Sequence, residues 1–236
     1  MLNDEELKEI TEDLSFWDKL SSREMELFKN NIQKVKYSKG ENLHSADNEC
    51  LGLLMVLSGE LRVYILSEDG REVTLYRLSD GDACVLSASC ILHNITFDVF
   101  IDAQCDTEVL LLNISAFSQL TQGNVYVENF ALRNTVDRFS DVMWAIEQIL
   151  FTSFDKRLAT FLLDESSKNK SPDIKLTHDQ IAKYMGSARE VVSRMLKNFE
   201  SLGIVKLSRG LIHIDDKDEL KNKVPSFRRQ IRRLFR

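Results

Sequence analysis

The sequence predicts an α+β chain of three successive parts: an N-terminal β-domain, one long helix, and a C-terminal helix-turn-helix followed by a hairpin. Three observations predict it. From Ile32 to about Leu120, short apolar runs alternate with Gly-containing turns, the pattern of a sandwich or barrel with the jelly roll included. From about Val125 to Leu150 the apolar period changes to alternating steps of four and three. Between Leu176 and Gly203, two short helical patterns meet at Gly186. The expected parts are 1–122 for the β-domain with its N-terminal helices, 123–151 for the long helix, and 152–236 for the C-terminal domain.

Residues 4 to 30 are expected to be helical. Leu7, Ile10 and Leu14, then Phe16, Trp17 and Leu20, precede an amphipathic segment from Ser22 to Asn30 with Met25, Leu27 and Phe28 on its apolar side. In the β-domain, the runs Leu51–Leu57, Leu61–Leu66 and Val73–Leu78 are punctuated by Ser38-Lys39-Gly40, Leu57-Ser58-Gly59, Glu68-Asp69-Gly70 and Ser79-Asp80-Gly81-Asp82. Glu68-Asp69-Gly70 between two alternating runs is a β-hairpin signal.

The long helix carries Val125, Asn129, Leu132, Val136, Phe139, Met143, Ile146 and Leu150 at heptad spacing. A sustained seam of this kind favours pairing with a second helix, and a lone Asn in it sets register. A core helix lying on the β-domain would also need an apolar face. Phe130, Val142 and Ile149 lie off the seam, so one helix can do both.

Ser153 or Asp155 can cap the next helix, which runs through Leu158, Phe161, Leu162 and Leu163; the polar stretch Ser166 to Pro172 follows as a loop. Thr177 then opens a T-x-x-Q capping box closed by Gln180, with Ile181, Ala182 and Met185 on the apolar face. After Gly186, Ser187 is expected to open a second helix through an S-x-x-E box closed by Glu190, ending at Gly203. Its expected buried side is Val191, Met195, Phe199 and Leu202, with Val192 and Leu196 at the edge. Arg189, Glu190, Ser193, Arg194 and Lys197 fall on the other side. Such side chains pair with base edges in a major groove, where a helix-turn-helix places the start of its second helix. The plainer reading is that Glu190 only closes the capping box and the arginines are solvated.

Ile204–Leu207 and Leu211–Ile214, split by Ser208-Arg209-Gly210, make the hairpin of a winged helix. Thr177, Ser187 and Arg209 complete the candidate DNA contacts. Arg228 to Arg236 contains five arginines, either a phosphate-contacting tail or a solvated amphipathic end.

The net charge of −6 is unevenly divided. Through residue 150 there are 12 Lys and Arg against 26 Asp and Glu, a balance of −14; beyond it, 19 against 11 give +8. An acidic front and basic back suggest that the back meets a polyanion. No signal-peptide pattern and no apolar run of about 18 residues is visible, so a cytoplasmic protein with no membrane partner is expected. Cys50, Cys84, Cys90 and Cys105 are too few and too spread for a disulfide scaffold. The rival reading is a metal-dependent β-roll enzyme of the cupin kind, which needs histidines and a carboxylate at one metal. His44, His93, His178 and His213 are far apart, without H-x-H or H-E-x-x-H, so neither enzymatic activity nor a metal site is expected.

A β-roll, a long helix and a winged helix, in that order, resemble the CRP/FNR family of bacterial transcription regulators over nearly the whole chain. The most specific part is Gly186-Ser187-Ala188-Arg189-Glu190-Val191-Val192-Ser193-Arg194, similar to the family's recognition helix. The resemblance implies that Glu190 accepts from cytosine N4 and Arg194 donates to guanine O6 and N7, supplemented by Arg189 and Ser193. It implies a cyclic-nucleotide-binding-like sensory β-roll, in which Val56-Leu57-Ser58-Gly59-Glu60-Leu61 and Gly81-Asp82 resemble family turns. It further implies a homodimer on double-stranded DNA, with RNA polymerase as a candidate partner.

The chain departs from the family at the effector site. Members that bind cyclic AMP carry a Gly-Glu pair soon after Gly-Asp, then Arg-Ser or Arg-Thr for the phosphate. Here Ala83 to Cys90 follows Gly81-Asp82, the arginine's stretch reads Asn94-Ile95-Thr96-Phe97-Asp98, and no Lys or Arg occurs between Arg77 and Arg133. A cyclic phosphate would lose its charge-assisted bonds, so cyclic AMP is not expected. An iron–sulfur cluster is not expected either, since no cysteine precedes Cys50 and the spacings match no ligand run. Cys84 and Cys90, six apart, are either a redox pair or two small buried hydrophobes.

Overall fold

The computed structural model describes residues 14–44, 51–85 and 99–224. Leu7, Ile10, Cys50, Cys90, His93, the stretch Asn94 to Asp98 and the arginine-rich segment from Arg228 lie outside the described residues. The chain divides into two compact units. The first takes the described residues up to Leu66 and from Leu75 to Met143; the second takes Ser67–Thr74 and those from Trp144 onward.

The first unit opens with a 3-10 turn, Trp17–Lys19, and helix α1, Ser22–Asn31. Ser21 and Glu24 cap α1 reciprocally, the Ser21 N–H donating to Glu24 Oε2 at 2.7 Å. The strands follow as β1 (Ile32–Tyr37), β2 (Asn42–His44), β3 (Leu53–Ser58), β4 (Glu60–Leu66), β5 (Glu72–Ser79), β6 (Ala83–Cys84), β7 (Phe100–Ala103) and β8 (Thr107–Leu112). They form two four-stranded sheets, ordered β1-β8-β3-β6 and β2-β7-β4-β5.

The continuous apolar runs are explained by the first sheet being covered on both faces. Successive side chains of a strand point to opposite sides. Leu54 and Val56 of β3, with Val109 and Leu111 of β8, meet Leu61, Val63, Ile101 and Ala103 of the facing sheet. Leu53, Met55, Leu110 and Leu112 turn the other way, into a cluster with Phe16, Phe28, Phe117 and Leu120. Gly52 enters β3 at φ +103°, where a Cβ would stand 2.0 Å from the Leu112 carbonyl oxygen. No side chain fits there.

The strand pattern expected up to about Leu120 stops earlier. Ile114–Gly123 is helix α2, capped by Asn113, whose side chain accepts from the Ala116 N–H at 2.9 Å. Helix α3, Val125–Phe151, then runs for 27 residues. Its Val127 and Ala131 are buried in the cluster of Phe16 and Phe117, and Arg138 lies 5.2 Å over the Tyr76 ring. The heptad seam is a different face. Val125, Val136, Phe139 and Leu150 are 64–66% exposed, and Leu132, Met143 and Ile146 are 41–53% exposed. One helix therefore has both a core face and an uncovered apolar face.

In the second unit, helix α4 (Phe154–Lys168) leads through β9 (Asp173–Ile174) into α5 (His178–Met185) and α6 (Arg189–Ser201). Strands β10 (Val205–Ser208) and β11 (Leu211–Ile214) precede helix α7 (Lys217–Lys223), capped by Asp216. The sheet order is β10-β11-β9. Leu158, Leu162, Ile181, Val192, Leu196, Phe199, Ile204, Ile212 and Leu220 make one buried cluster. Neither β9 nor α7 is visible as a periodic pattern in the sequence: two residues are too few for a strand period, and α7 carries one buried residue, Leu220.

Candidate nucleic-acid interface

The site is built by the junction between α5 and α6. Thr177 caps α5 as expected: Gln180 N–H donates to Thr177 Oγ1 at 3.2 Å, and Thr177 N–H donates to Gln180 Oε1 at 2.8 Å. At the other end Gly186 is left-handed, φ +57°. Its N–H donates to the Lys183 carbonyl at 3.4 Å and the Ser187 N–H to the Ala182 carbonyl at 3.0 Å. These two bonds are a Schellman closure.

That closure corrects the expected start of α6. Ser187 is committed to ending α5, so it does not cap the second helix. The N-cap is Ala188, which makes no side-chain bond, and the Ser187–Glu190 capping box does not form. Glu190 is left exposed on the first turn.

Further cations hold the junction. Arg157 of α4 donates to the Met185 carbonyl at 3.2 Å, a positive charge at the C-terminal end of α5. Within the same unit, the Arg71 guanidinium donates to the Gly186 carbonyl, and Lys183 Nζ lies 2.8 Å from Glu72 Oε1. A Cβ on Gly186 would come within 3.3 Å of Val73 Cγ2.

The buried side of α6 also differs from expectation. Val192, Leu196 and Phe199 are 0–1% exposed, whereas Val191 and Met195 are half-buried and Leu202 is 55% exposed. The helix is rotated so that residues read as its edge form its centre. Opposite them, Glu190, Ser193, Arg194 and Lys197 fall within a roughly 100° arc at 3.6 residues per turn. Glu190, Arg194 and Lys197 are exposed, and Ser193 is half-buried. Arg189 lies beside the arc, 3.6 Å from Asp179 of α5. Both partners are well exposed, so the pair is weak and easily exchanged.

Arg209 occupies the exposed turn between β10 and β11, the wing, with exposed Lys206 on β10. Glu200 of α6 accepts from the Leu207 N–H at 3.0 Å and ties the wing to the helix. The structure thus brings Arg189, Glu190, Ser193, Arg194 and Lys197 together on one helix. Thr177, Ser187 and Arg209 lie on neighbouring segments.

Sequence reasoning missed His178. Its Nδ1 is 2.7 Å from Ser193 Oγ, joining the first residue of α5 to the edge of the α6 arc. Spacing alone carries no signal for a bond between two residues 15 apart on different helices. The other described histidines lie apart from it: His213 is 2.6 Å from Asp173 on the wing sheet, and His44 is buried in β2. Of the thiols, Cys84 is fully buried, 3.7 Å from the Tyr76 hydroxyl, and Cys105 is exposed. Burial raises the Tyr76 phenol well above its ordinary range, so the hydroxyl keeps its proton beside the thiol.

Residues 156–223 match a family model described as a Crp-like helix-turn-helix domain, and residues 34–124 match a cyclic nucleotide-binding domain. The cAMP-activated global transcriptional regulator Vfr of Pseudomonas aeruginosa is 24% identical over 178 residues, 72% of this chain and 83% of that protein. The fumarate and nitrate reduction regulatory protein of Escherichia coli K12 is 26% identical over 215 residues, 85% and 82% of the two chains. A crystal structure of a crp/fnr-family protein from Eubacterium rectale is similar at a TM-score of 0.87 and 43% identity, covering 90% of this chain and 98% of that one.

Proposed function

This chain belongs to the CRP/FNR family of transcription regulators, and from that premise we propose that it acts as a cytoplasmic homodimer reading a pseudo-palindromic duplex site. The observation that carries this reading is the solvent-facing arc of Glu190, Ser193, Arg194 and Lys197 on a helix whose opposite side is locked in the core. Acceptor, hydroxyl and guanidinium in that order match what base edges offer in the major groove. Arg189 and Arg209, with Thr177 and Ser187 at the helix ends, fall to the flanking phosphates. RNA polymerase is a further partner in this reading.

The uncovered seam of α3 supports the second copy. Seven apolar side chains at heptad spacing, each at least 41% exposed, are far more than a monomer leaves in water along one helix. Two-fold symmetry then sets the half-sites about 10–10.5 bp apart, centre to centre.

We propose that the signal sensed in the β-roll is not a cyclic phosphate. No Lys or Arg occurs between Arg77 and Arg133. Arg138, which reaches Asp82 at 3.8 Å, is paired with Asp141 at 3.1 Å. Neither Cys84 nor Cys90 is assigned a redox role, and the same experiment tests both. Selection from random duplexes, run with reduced and with oxidised protein, is expected to yield one inverted repeat. Recovery of no sequence preference in either state would overturn the reading.

A further inference from the structure

We infer that His178 is a positioning residue for base reading: its ring nitrogen holds the Ser193 hydroxyl in one orientation and one hydrogen-bond polarity toward the groove. The inference rests on α6 being the base-reading helix, as proposed above.

A serine in the middle of a helix has alternatives. Its hydroxyl rotates freely, and its commonest partner is the carbonyl four residues back, which points it away from any ligand. In α6 that carbonyl belongs to Arg189. Instead, Ser193 Oγ lies 2.7 Å from His178 Nδ1. The ring is itself constrained: His178 is the first residue of α5, directly after the Thr177 cap and its reciprocal bonds with Gln180. Ser193 sits one turn beyond Glu190, at the edge of the exposed arc opposite Arg194. Both members of the pair are half-buried, so water competes for this bond less than on an open surface.

With Nδ1 as the acceptor, the Ser193 proton is held by the ring and Oγ meets a base only as an acceptor, whereas a free hydroxyl can serve as either. That turns Ser193 from an adaptable contact into a discriminating one. His178 acts through Ser193 and needs no contact of its own with DNA.

The test compares wild type with His178→Ala, His178→Asn, His178→Gln, Ser193→Ala and the His178→Ala/Ser193→Ala double variant. Each goes through selection from random duplexes and titration against the selected site, its single-base changes and a scrambled duplex. His178→Ala and Ser193→Ala should flatten the same base pair in each half-site. Discrimination there should fall roughly two- to tenfold, the worth of one neutral hydrogen bond. Affinity for the scrambled duplex and its salt dependence should not change. His178→Asn should restore the preference, because its side-chain amide lies as many bonds from the backbone as Nδ1. His178→Gln, one bond longer, should not.

In the Ser193→Ala background, His178→Ala should change base preference no further. The proposal is overturned if His178→Ala weakens all duplexes alike with a salt slope about one lower, which would make it a phosphate contact. It is equally overturned if His178→Ala and Ser193→Ala flatten different base pairs, or if Asn and Gln behave alike. A wild-type protein that selects no motif would instead sink the underlying reading of α6.

Discussion

Arg194 and Glu108 carry predictions that depend on single side chains. Arg194 is exposed on α6 and makes no ion pair among the described residues, so its guanidinium is available for a bidentate contact with guanine. Arg194→Ala should cost ~1–3 kcal/mol on the selected site and relax preference at one base pair. Equal binding of specific and scrambled duplexes by variant and wild type, in an electrophoretic shift, would remove the base-reading role. Glu108 lies between Lys34 and Lys36 across the β1–β8 pairing, 2.8 and 2.5 Å from their ammonium groups. Bonds to Lys34 first, then Lys36, hold its carboxyl down at about 2. A carboxylate depressed in the folded state stabilises the fold above the ordinary carboxylate range, and that contribution fades as pH falls toward 2. NMR titration should find Glu108 ionised at pH 3. In Lys34→Met/Lys36→Met, its midpoint should move up toward 4.5, the unperturbed value.

At the scale of elements, the junction of α5 and α6 shows what local chemistry reveals and what it leaves open. Thr177, Gln180 and Gly186 announce the ends of α5 through side-chain and backbone preferences acting over four residues. Ser187 has two competing uses of nearly equal local merit, as a cap for α6 or as the residue that closes α5. Packing of Gly186 against Val73 and the bonds from Arg71 and Arg157 favour the second. Helix α2 was absorbed into the strand reading for a related reason: its cap, Asn113, directly follows a buried strand, and only ten residues carry the helical period. The wing is better marked, since two short alternating runs around Ser208-Arg209-Gly210 leave little else to form. Because Arg209 is exposed at its tip, Arg209→Ala should weaken binding on every sequence and lower the salt slope by about one, measured by titration across salt concentrations.

For the whole molecule, the proposed dimer rests on α3. Its Val127 and Ala131 are used inside the chain, while Val136, Phe139 and Met143 are left in solvent. Val136→Asp/Met143→Asp should sediment as a folded monomer with its far-UV circular dichroism intact. It should also lose high-affinity binding to the full inverted repeat. Persistence of a dimer would show that the seam is not the interface.

The order of parts, the turn-punctuated β-domain, the heptads and the polar face of the second helix were determined by the sequence alone, since periodicity, turn chemistry and capping act within a few residues of each other. Tertiary structure decided that Val192, Leu196 and Phe199 form the buried centre of α6, that Ser187 ends one helix rather than starting the next, and that His178 engages Ser193. Each of these depends on what packs opposite. A helix with five apolar residues over roughly 140° of its circumference has several rotations of similar intrinsic merit, and only the facing core of Leu158, Ile181 and Ile212 selects one.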